Sequence, residues 1–354
     1  MALTALSIYG AFISLIAFGM LLLSLRTYRQ EIPRQEYSPR TLVIVPCRGE
    51  DLTLEENLRS LQVQDHKNYA LVCAVDTARD SATKTIRKLS IEMVVADPKY
   101  KRGSGKVRAI ATAIARNRGY QAYAIADSDV TFERGWLRKL TAPLKDEKYG
   151  LATAFPFFNP GNSIWSKVKC AWGMVGQGLM ESKVTRFGWG GSMAFRKDFL
   201  DDKSFKLFSE SLSDDIAITK TAFRKGLKIF YRADIDIRVN NAETRQTFFE
   251  WANRQTALSL LGYKNNFYFG VAFYFAQVLL LVSGIALGTA VSAVFFLLLA
   301  PFLISIVRGY AKLKAKYPEY PLISLMLPFL YLYNLFAARG MNKIFWRGRA
   351  YKLE

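Results

Sequence analysis

Two carboxylates one residue apart, Asp127 and Asp129 on either side of Ser128, follow the mostly apolar run Gln121–Ala126. That run reads as a buried strand, and open α/β sheets bind their ligands outside the carboxyl ends of their strands. Hard divalent cations take carboxylate oxygens, and Mg2+ keeps one or two protein carboxylates while phosphates fill its other positions. A strand-ending Asp-x-Asp therefore reads as a clamp for a diphosphate and a divalent cation, Mn2+ or Mg2+. An acidic turn after a strand is the plain alternative, so the neighbouring features decide its weight.

Four such features fall at the same expected sheet edge. Pro46-Cys47-Arg48-Gly49-Glu50 ends a strand in a polar loop where a base and ribose fit. Asp76, with Asp80 four residues on, offers acceptors for a uracil N–H or ribose hydroxyls. Lys101-Arg102-Gly103-Ser104-Gly105-Lys106 opens a helix, so backbone N–H groups and ammonium charge converge as at phosphate sites. It lacks the Gly-x4-Gly-Lys-Ser/Thr spacing of an ATP-binding loop. The pair Asp214-Asp215, after Ser213, suits a helix N-terminus, or a general base within reach of an acceptor hydroxyl. A nucleoside diphosphate leaves without protonation when a metal and cations absorb its charge. Arg254, in Trp251-Ala252-Asn253-Arg254-Gln255, and Arg347 and Arg349 are candidates to hold that diphosphate; arginines facing lipid are the competing reading. The single histidine, His66, excludes a His-based zinc cage, so catalysis rests on carboxylates.

Positioning these groups requires a parallel sheet. Strands are expected at Thr41–Pro46, Tyr69–Asp76, Ile91–Ala96 and up to Ala126, with helices at Leu54–Gln62, from Ser81 to Leu89 and at Lys106–Arg118. Alternating strands and helices indicate right-handed crossovers in a mostly parallel sheet. Further strands are expected at Leu151–Phe155, Ser192–Phe195, Leu227–Tyr231 and Ile235–Val239, and a helix at Asp214–Lys225. Ile164–Met180 reads either as a core helix or as one lying in a membrane interface.

Three stretches carry no charged side chain: Met1–Leu25, Asn265–Val307 and Tyr320–Ala338. About 20 apolar residues span a bilayer, so the first is an anchor, the second a helical hairpin and the third marginal. The expected organisation is an anchor at 1–26, a cytoplasmic catalytic domain at 27–264 and a C-terminal membrane region at 265–354. Arg26, Arg29, Arg34 and Arg40 follow the anchor, which places the N-terminus outside. Segment 320–338 is then interfacial or re-entrant, broken at Pro321 and Pro328, so that the basic tail stays inside. The net charge of +20 suits an anionic leaflet, and no recognition module supports nucleic-acid binding. Cys47, Cys73 and Cys170 make no paired framework and read as buried thiols in a reducing compartment.

The motifs VIVPCRGED, ENLRSLQVQD, Asp76…Asp80, DSD, GWGGSMAFRK, LSDDI and WRGRAY occur in this order. In that order the chain resembles a family-two glycosyltransferase of the ceramide-glucosyltransferase-like branch. The resemblance implies a GT-A fold, a UDP-sugar donor, a divalent metal at Asp129 with Asp127 alongside, and Asp215 as the base. It assigns Pro46, Arg48, Glu50, Asp76, Asp80, Lys106, Asp127 and Ser128 to the donor. Gly190, Gly191, Asp214, Trp251, Arg254, Gln255, Arg347 and Arg349 fall to the diphosphate or the acceptor. The family's (Gln/Arg)-x-x-Arg-Trp element departs here, keeping only Arg254. The implied reaction is inverting transfer of one sugar, most simply from UDP-glucose, to a membrane lipid. Ceramide, diacylglycerol, a hopanoid and a polyprenyl phosphate remain open as acceptors, with a polysaccharide synthase or a silent nucleotide-binding scaffold as alternatives.

Overall fold

The structure is a computed structural model of the 354-residue chain. It describes all residues except 1, 30–31, 34–35, 52, 264 and 354, with side chains in the first helix described from residue 8. Arg34 of the basic linker and position 264, the expected domain end, lie outside the described residues.

A seven-stranded sheet carries the site. Its order is β3 (Glu92–Val95), β2 (Tyr69–Val75), β1 (Thr41–Cys47), β4 (Ala122–Ala126), β8 (Ser192–Arg196), β6 (Tyr149–Thr153), β9 (Lys228–Tyr231). Only β8 runs antiparallel to its neighbours, and the central register sets Ile44 opposite both Val72 and Ile125. Alternate residues of β1 serve opposite faces. Val43 and Val45 join a core under α2 (Leu54–Gln62), α3 (Ala82–Lys88) and α5 (Trp136–Thr141). Leu42 and Ile44 meet α4 (Gly105–Arg116), α7 (Asp202–Ser209) and α8 (Asp214–Arg224). In α4 the buried Val107, Ile110, Ala111 and Ile114 recur at helical spacing, and the Ser104 hydroxyl caps the helix by accepting from the Val107 N–H. β1, β2, β4 and α2 fall within a residue of their expected bounds. Cys47, Cys73 and Cys170 are buried free thiols.

Two small sheets were not anticipated. β5 (Val130–Phe132), β10 (Ile237–Val239) and β7 (Phe157–Phe158) form one beyond the Asp-x-Asp. β11 (Lys343–Trp346) and β12 (Arg349–Lys352) form a hairpin at the end of the chain. Its two-residue turn holds Arg347 at φ 46° and Gly348 at φ 74°. Positive φ at both central positions matches the right-handed twist of the strands. An arginine pays for that conformation in strain.

α6 (Ile164–Glu181), α9 (Arg245–Gly262) and α12 (Tyr320–Arg339) form a second layer. Val168, Cys170 and Ala171 of α6 are buried with Phe248 and Ala252 of α9 and Tyr320 and Ile323 of α12, so α6 is a core helix here. Four segments are long and apolar enough to cross a membrane: Ile8–Leu25 of α1 (Ala2–Leu25), α10 (Asn266–Ala290), Ala293–Lys312, which ends in α11 (Ala300–Lys312), and α12. α10 lies within the charge-free stretch Asn265–Val307 expected to form a hairpin, and Ala293–Lys312 begins within it. The expected break in 320–338 is absent: α12 runs unbroken through Pro328, and Pro321 sits in its first turn, where no N–H is needed. Re-entry by a broken helix is thereby corrected. Both ends of α12 are tied to the sheet's side of the molecule. Glu319 pairs with Lys167 of α6 at 2.7 Å, and the β11–β12 hairpin that follows meets Gly105 and Asp76 at the carboxyl edge of the sheet. Its outer stripe, Leu322, Met326, Phe329, Tyr333 and Phe336, is exposed and entirely apolar.

Candidate active site

The Asp-x-Asp leaves β4 at the carboxyl edge of the sheet, as its strand position requires. The Asp127 N–H donates to the Gly191 carbonyl at 3.2 Å. The Ser128 hydroxyl donates to Asp51 at 2.6 Å, and Asn57 of α2 donates to the Ser128 carbonyl at 2.9 Å. Among the described residues no hydrogen bond or ion pair engages the Asp129 carboxylate. Burial and the charges of Asp127 and Asp51 push its pKa up to about 6. A carboxylate crowded by like charges and lacking a proton donor is suited to a divalent cation. No ready cluster of three His, Cys, Asp or Glu ligands occurs among the described residues. One or two carboxylates with the remaining positions left to phosphate oxygens is the donor set that fits.

Lys106, the second residue of α4, ties this pair to the second acidic pair. Its ammonium stands 2.7 Å from Asp127 and 3.0 Å from Asp214, with the side chain only 12% exposed. Burial opposes the charge, but Asp127, Asp214 and Asp215 together hold its proton affinity above the usual lysine range. Ser213 caps α8 by accepting from the Ile216 N–H, which fixes Asp214 and Asp215 in the first turn. Asp215 accepts from the Gly190 N–H at 2.5 Å. A Cβ on Gly190 would strike both carboxylates, so that position requires glycine. Burial first, then the adjacent Asp214, raises the Asp215 pKa to about 8. A carboxyl group tuned there exchanges its proton just above neutral pH, and its ionised form can act as a base.

The terminal hairpin closes over the donor edge. Arg349 reaches both oxygens of Asp76, at 3.0 and 2.6 Å, and Arg108 of α4 also pairs with Asp76. Arg347 donates to Asp51 at 2.6 Å and to the Arg48 carbonyl. Tyr351 accepts from the Gly105 N–H, at the mouth of α4, at 3.1 Å. Arg254 of α9 donates to the Phe345 carbonyl at 3.4 Å, and burial and the charge of Arg347 lower its proton affinity.

The structure thus brings together Arg48, Asp76, Lys106, Asp127, Ser128, Asp129, Gly190, Gly191, Asp214, Asp215, Arg347 and Arg349. Asp80 lies one layer out, accepting from the Gly49 and Ala82 N–H groups. Glu50 accepts from Thr85 at 3.4 Å, and Pro46 stays in β1 opposite Ala74. Trp251 is turned away: its ring packs on Phe158 and Trp172 with the Lys169 ammonium at 4.6 Å. Gln255 makes no side-chain hydrogen bond or ion pair among the described residues. Asp51, Asn57, Arg108 and Tyr351 were missed. Asp51 closes the VIVPCRGED motif and was within reach of sequence reasoning; the other three reach the site only through the fold.

Among solved structures, the chain is similar to the mannosyltransferase PcManGT from Pyrobaculum calidifontis in complex with GDP-Man and Mn2+. The TM-score is 0.56 at 18% identity, covering 96% of each chain. It is also similar to glucosyl-3-phosphoglycerate synthase from Mycobacterium tuberculosis in complex with Mn2+, UDP and glucosyl-3-phosphoglycerate. There the TM-score is 0.46 at 15% identity, over 67% of this chain and 88% of that one. No curated protein matches the chain. The first likeness carries the fold: an α/β domain of GT-A type with apolar helices toward both ends. Residues 6–354 match the profile of glycosyl transferase family 21, the branch that the motif order indicated, and the chain is a glycosyltransferase belonging to that family.

Proposed function

We propose that the protein transfers a single sugar from a UDP-sugar, UDP-glucose foremost, to the hydroxyl of a ceramide-like or diacylglycerol-like lipid, with inversion at the sugar carbon. The observation that carries this reading is the position of Asp215. It sits at the first turn of α8, linked through Lys106 to the Asp-x-Asp, and the next residue, Ile216, packs where α9 ends. A Cβ on Gly262 would lie 3.4 Å from Ile216, and α10 begins at Asn266. The base thus stands beside the foot of the membrane hairpin, where a lipid hydroxyl arrives with its tail still in the bilayer.

In the reaction, Asp215 accepts the proton of the acceptor hydroxyl as its oxygen bonds to the sugar carbon and the bond to the diphosphate breaks. Gly190 orients the Asp215 carboxylate. Asp129 and Asp127 are the residues that would hold Mn2+ or Mg2+, which when bound offsets the charge of the departing diphosphate. Lys106 bridges Asp127 and Asp214 at 2.7 and 3.0 Å. Arg347 and Arg349 are placed to exchange their aspartate partners for phosphate oxygens, and Asp76 is placed for the nucleoside.

The division into anchor, catalytic domain and C-terminal membrane region belongs to the same proposal. Arg308 of α11 donates to the Arg26 carbonyl, just after α1, at 2.8 Å. The basic ends of α1 and α11 therefore share one face of the membrane, the cytoplasmic one by charge bias. Since α12 is tied to the catalytic side at both ends, it lies along the interface with its apolar stripe in lipid.

The test is UDP release by the protein in nanodiscs with UDP-glucose, UDP-galactose or UDP-N-acetylglucosamine, Mn2+ or Mg2+, and a panel of lipid acceptors. Lipid-dependent release, one sugar per lipid, abolished by Asp215→Asn is the expected result. Release that persists in Asp215→Asn removes Asp215 from the role of base, and chains of sugars in the product refute single transfer.

A further inference from the structure

One aromatic residue with no part in the proposed reaction stands in the chain where the two acidic pairs are joined. Trp189 precedes the two glycines that connect those pairs. The Gly190 N–H holds Asp215 at 2.5 Å, and the Gly191 carbonyl accepts the Asp127 N–H at 3.2 Å. Trp189 is itself pegged, its N–H donating to the Thr153 hydroxyl at 3.0 Å. Its ring folds back over Gly191, where a Cβ would collide with the benzo edge. Phe155 supports it at 5.7 Å, and Phe187 lies against Phe155 at 5.9 Å. Gly176 of α6 admits that stack, since a Cβ there would strike the Phe155 ring.

The indole shares its lack of an N–H partner among the described residues with Trp165, Trp251 and Trp346, and differs from the two tryptophans whose N–H is engaged. Trp136 is fully buried and its indole N–H donates to Ser192 at 2.7 Å. The Trp172 N–H donates to Asn334 at 3.0 Å. Trp189 is only half-buried, and among the described residues its indole N–H has no acceptor. A partly exposed ring with an unengaged donor at its rim, held by Phe155 and by the core it packs against, can combine apolar contact with an orienting polar group, as ligand sites do.

We propose that Trp189 is the platform for the transferred hexose. The sugar's apolar C–H face rests on the indole while its carbon lies between the diphosphate at Asp127 and Asp129 and the acceptor oxygen at Asp215. The indole N–H reads one ring hydroxyl and so contributes to choice among epimeric donors. This rests on the proposed roles of the Asp-x-Asp and Asp215. It adds a positioning and specificity residue that reaches the sugar rather than the nucleotide.

The experiment compares binding of UDP alone with binding of UDP-glucose, UDP-galactose and UDP-N-acetylglucosamine, with Mn2+, by calorimetry on the full chain in nanodiscs. It uses wild type, Trp189→Ala, Trp189→Phe and Asp215→Asn. The expected wild type binds at least one UDP-hexose more tightly than UDP. Trp189→Ala leaves UDP affinity in place and removes the hexose increment, a loss of about fivefold to tenfold. Trp189→Phe restores most of that increment but narrows the glucose-to-galactose ratio. Asp215→Asn keeps the increment, which separates binding at the platform from the chemistry of the base. The inference is overturned if wild type shows no hexose increment with any donor. It is also overturned if Trp189→Ala keeps the increment, or if it weakens UDP itself in proportion, the mark of a purely structural ring. Transfer lost in Trp189→Ala and unaffected in Asp215→Asn would instead defeat the assignment of the base while leaving the platform standing.

Discussion

Lys106→Met tests whether a single ammonium holds the two acidic pairs together. The substitution keeps length and apolar stem but removes a charge 2.7 Å from Asp127 and 3.0 Å from Asp214. The Asp214 side chain is 7% exposed and that of Asp127 25%, so water compensates the first hardly at all. Removing one partner of a buried ion pair costs about 3–5 kcal/mol, because the other charge stays buried. At about 2–4 °C per kcal/mol for a domain of this size, the melting temperature should fall by about 10 °C at pH 8. The loss must shrink toward pH 5.5. The folded Asp215 binds its proton near pH 8 rather than at the unfolded 3.8, and Asp214 is shifted in the same direction by burial. As acids raised on folding they weaken stability as pH rises through that window, and protonation relieves the repulsion that the missing ammonium uncovers. Tryptophan-fluorescence melts of both proteins in nanodiscs at pH 5.5, 7 and 8 read this directly. A melting temperature equal to wild type at pH 8, or a deficit that grows on acidification, refutes the argument.

With Asp215 as base, the transfer rate should rise with pH up to about 8 and then level, since the reactive carboxylate is formed by losing a proton. Asp214→Asn, which removes the like charge beside it, should move that rise to lower pH; a profile unchanged in Asp214→Asn refutes the coupling. Arg349→Ala removes a two-pronged contact to Asp76. If Arg349 exchanges that contact for the diphosphate, UDP affinity measured with Mn2+ falls about tenfold, whereas unchanged or tighter binding shows that it serves only to neutralise Asp76. A cysteine introduced as Lys352→Cys lies on the exposed side of β12. An impermeant maleimide should label it only after cells are opened, and labelling from outside would defeat the interfacial placement of α12.

What the sequence disclosed and what it withheld divide along the range of the interactions. The strand bearing the Asp-x-Asp and the helix capped by Ser213 are legible because each is set by its own residues: a β-branched or apolar run, or a hydroxyl three positions from the N–H it caps. The edge strands β5 and β7 of the small sheet have three and two residues, too few for a period to register, whereas the central β10 falls inside the expected strand Ile235–Val239. The terminal hairpin escaped for a chemical reason. Its turn is Arg347-Gly348 rather than the Asn-Gly or Asp-Gly that announces φ > 0 at both positions. Pro328 misled in the opposite direction. A proline inside a helix removes one intrahelical bond and ordinarily kinks it, but α12 is held on both sides of Pro328, by Ile323 against α6 and α9 and by the Tyr331 hydroxyl bonded to the Trp172 carbonyl at 2.7 Å.

The basic tail shows why charge alone is ambiguous. An arginine beside a membrane segment pairs with lipid phosphate or with a carboxylate under the same sign rule, and composition does not distinguish the two. Here the decision came from partners almost a chain length away, since Arg347 meets Asp51 and Arg349 meets Asp76. Each arginine, already held by one aspartate, faces a third choice if the donor binds at this edge as proposed. The diphosphate offers more negative charge than either carboxylate, and the hairpin that carries both arginines is joined to α12, which in the proposed topology lies along the lipid. In that proposal donor capture and seating on the membrane share one structural element, and loosening α12 from the bilayer should weaken the donor site.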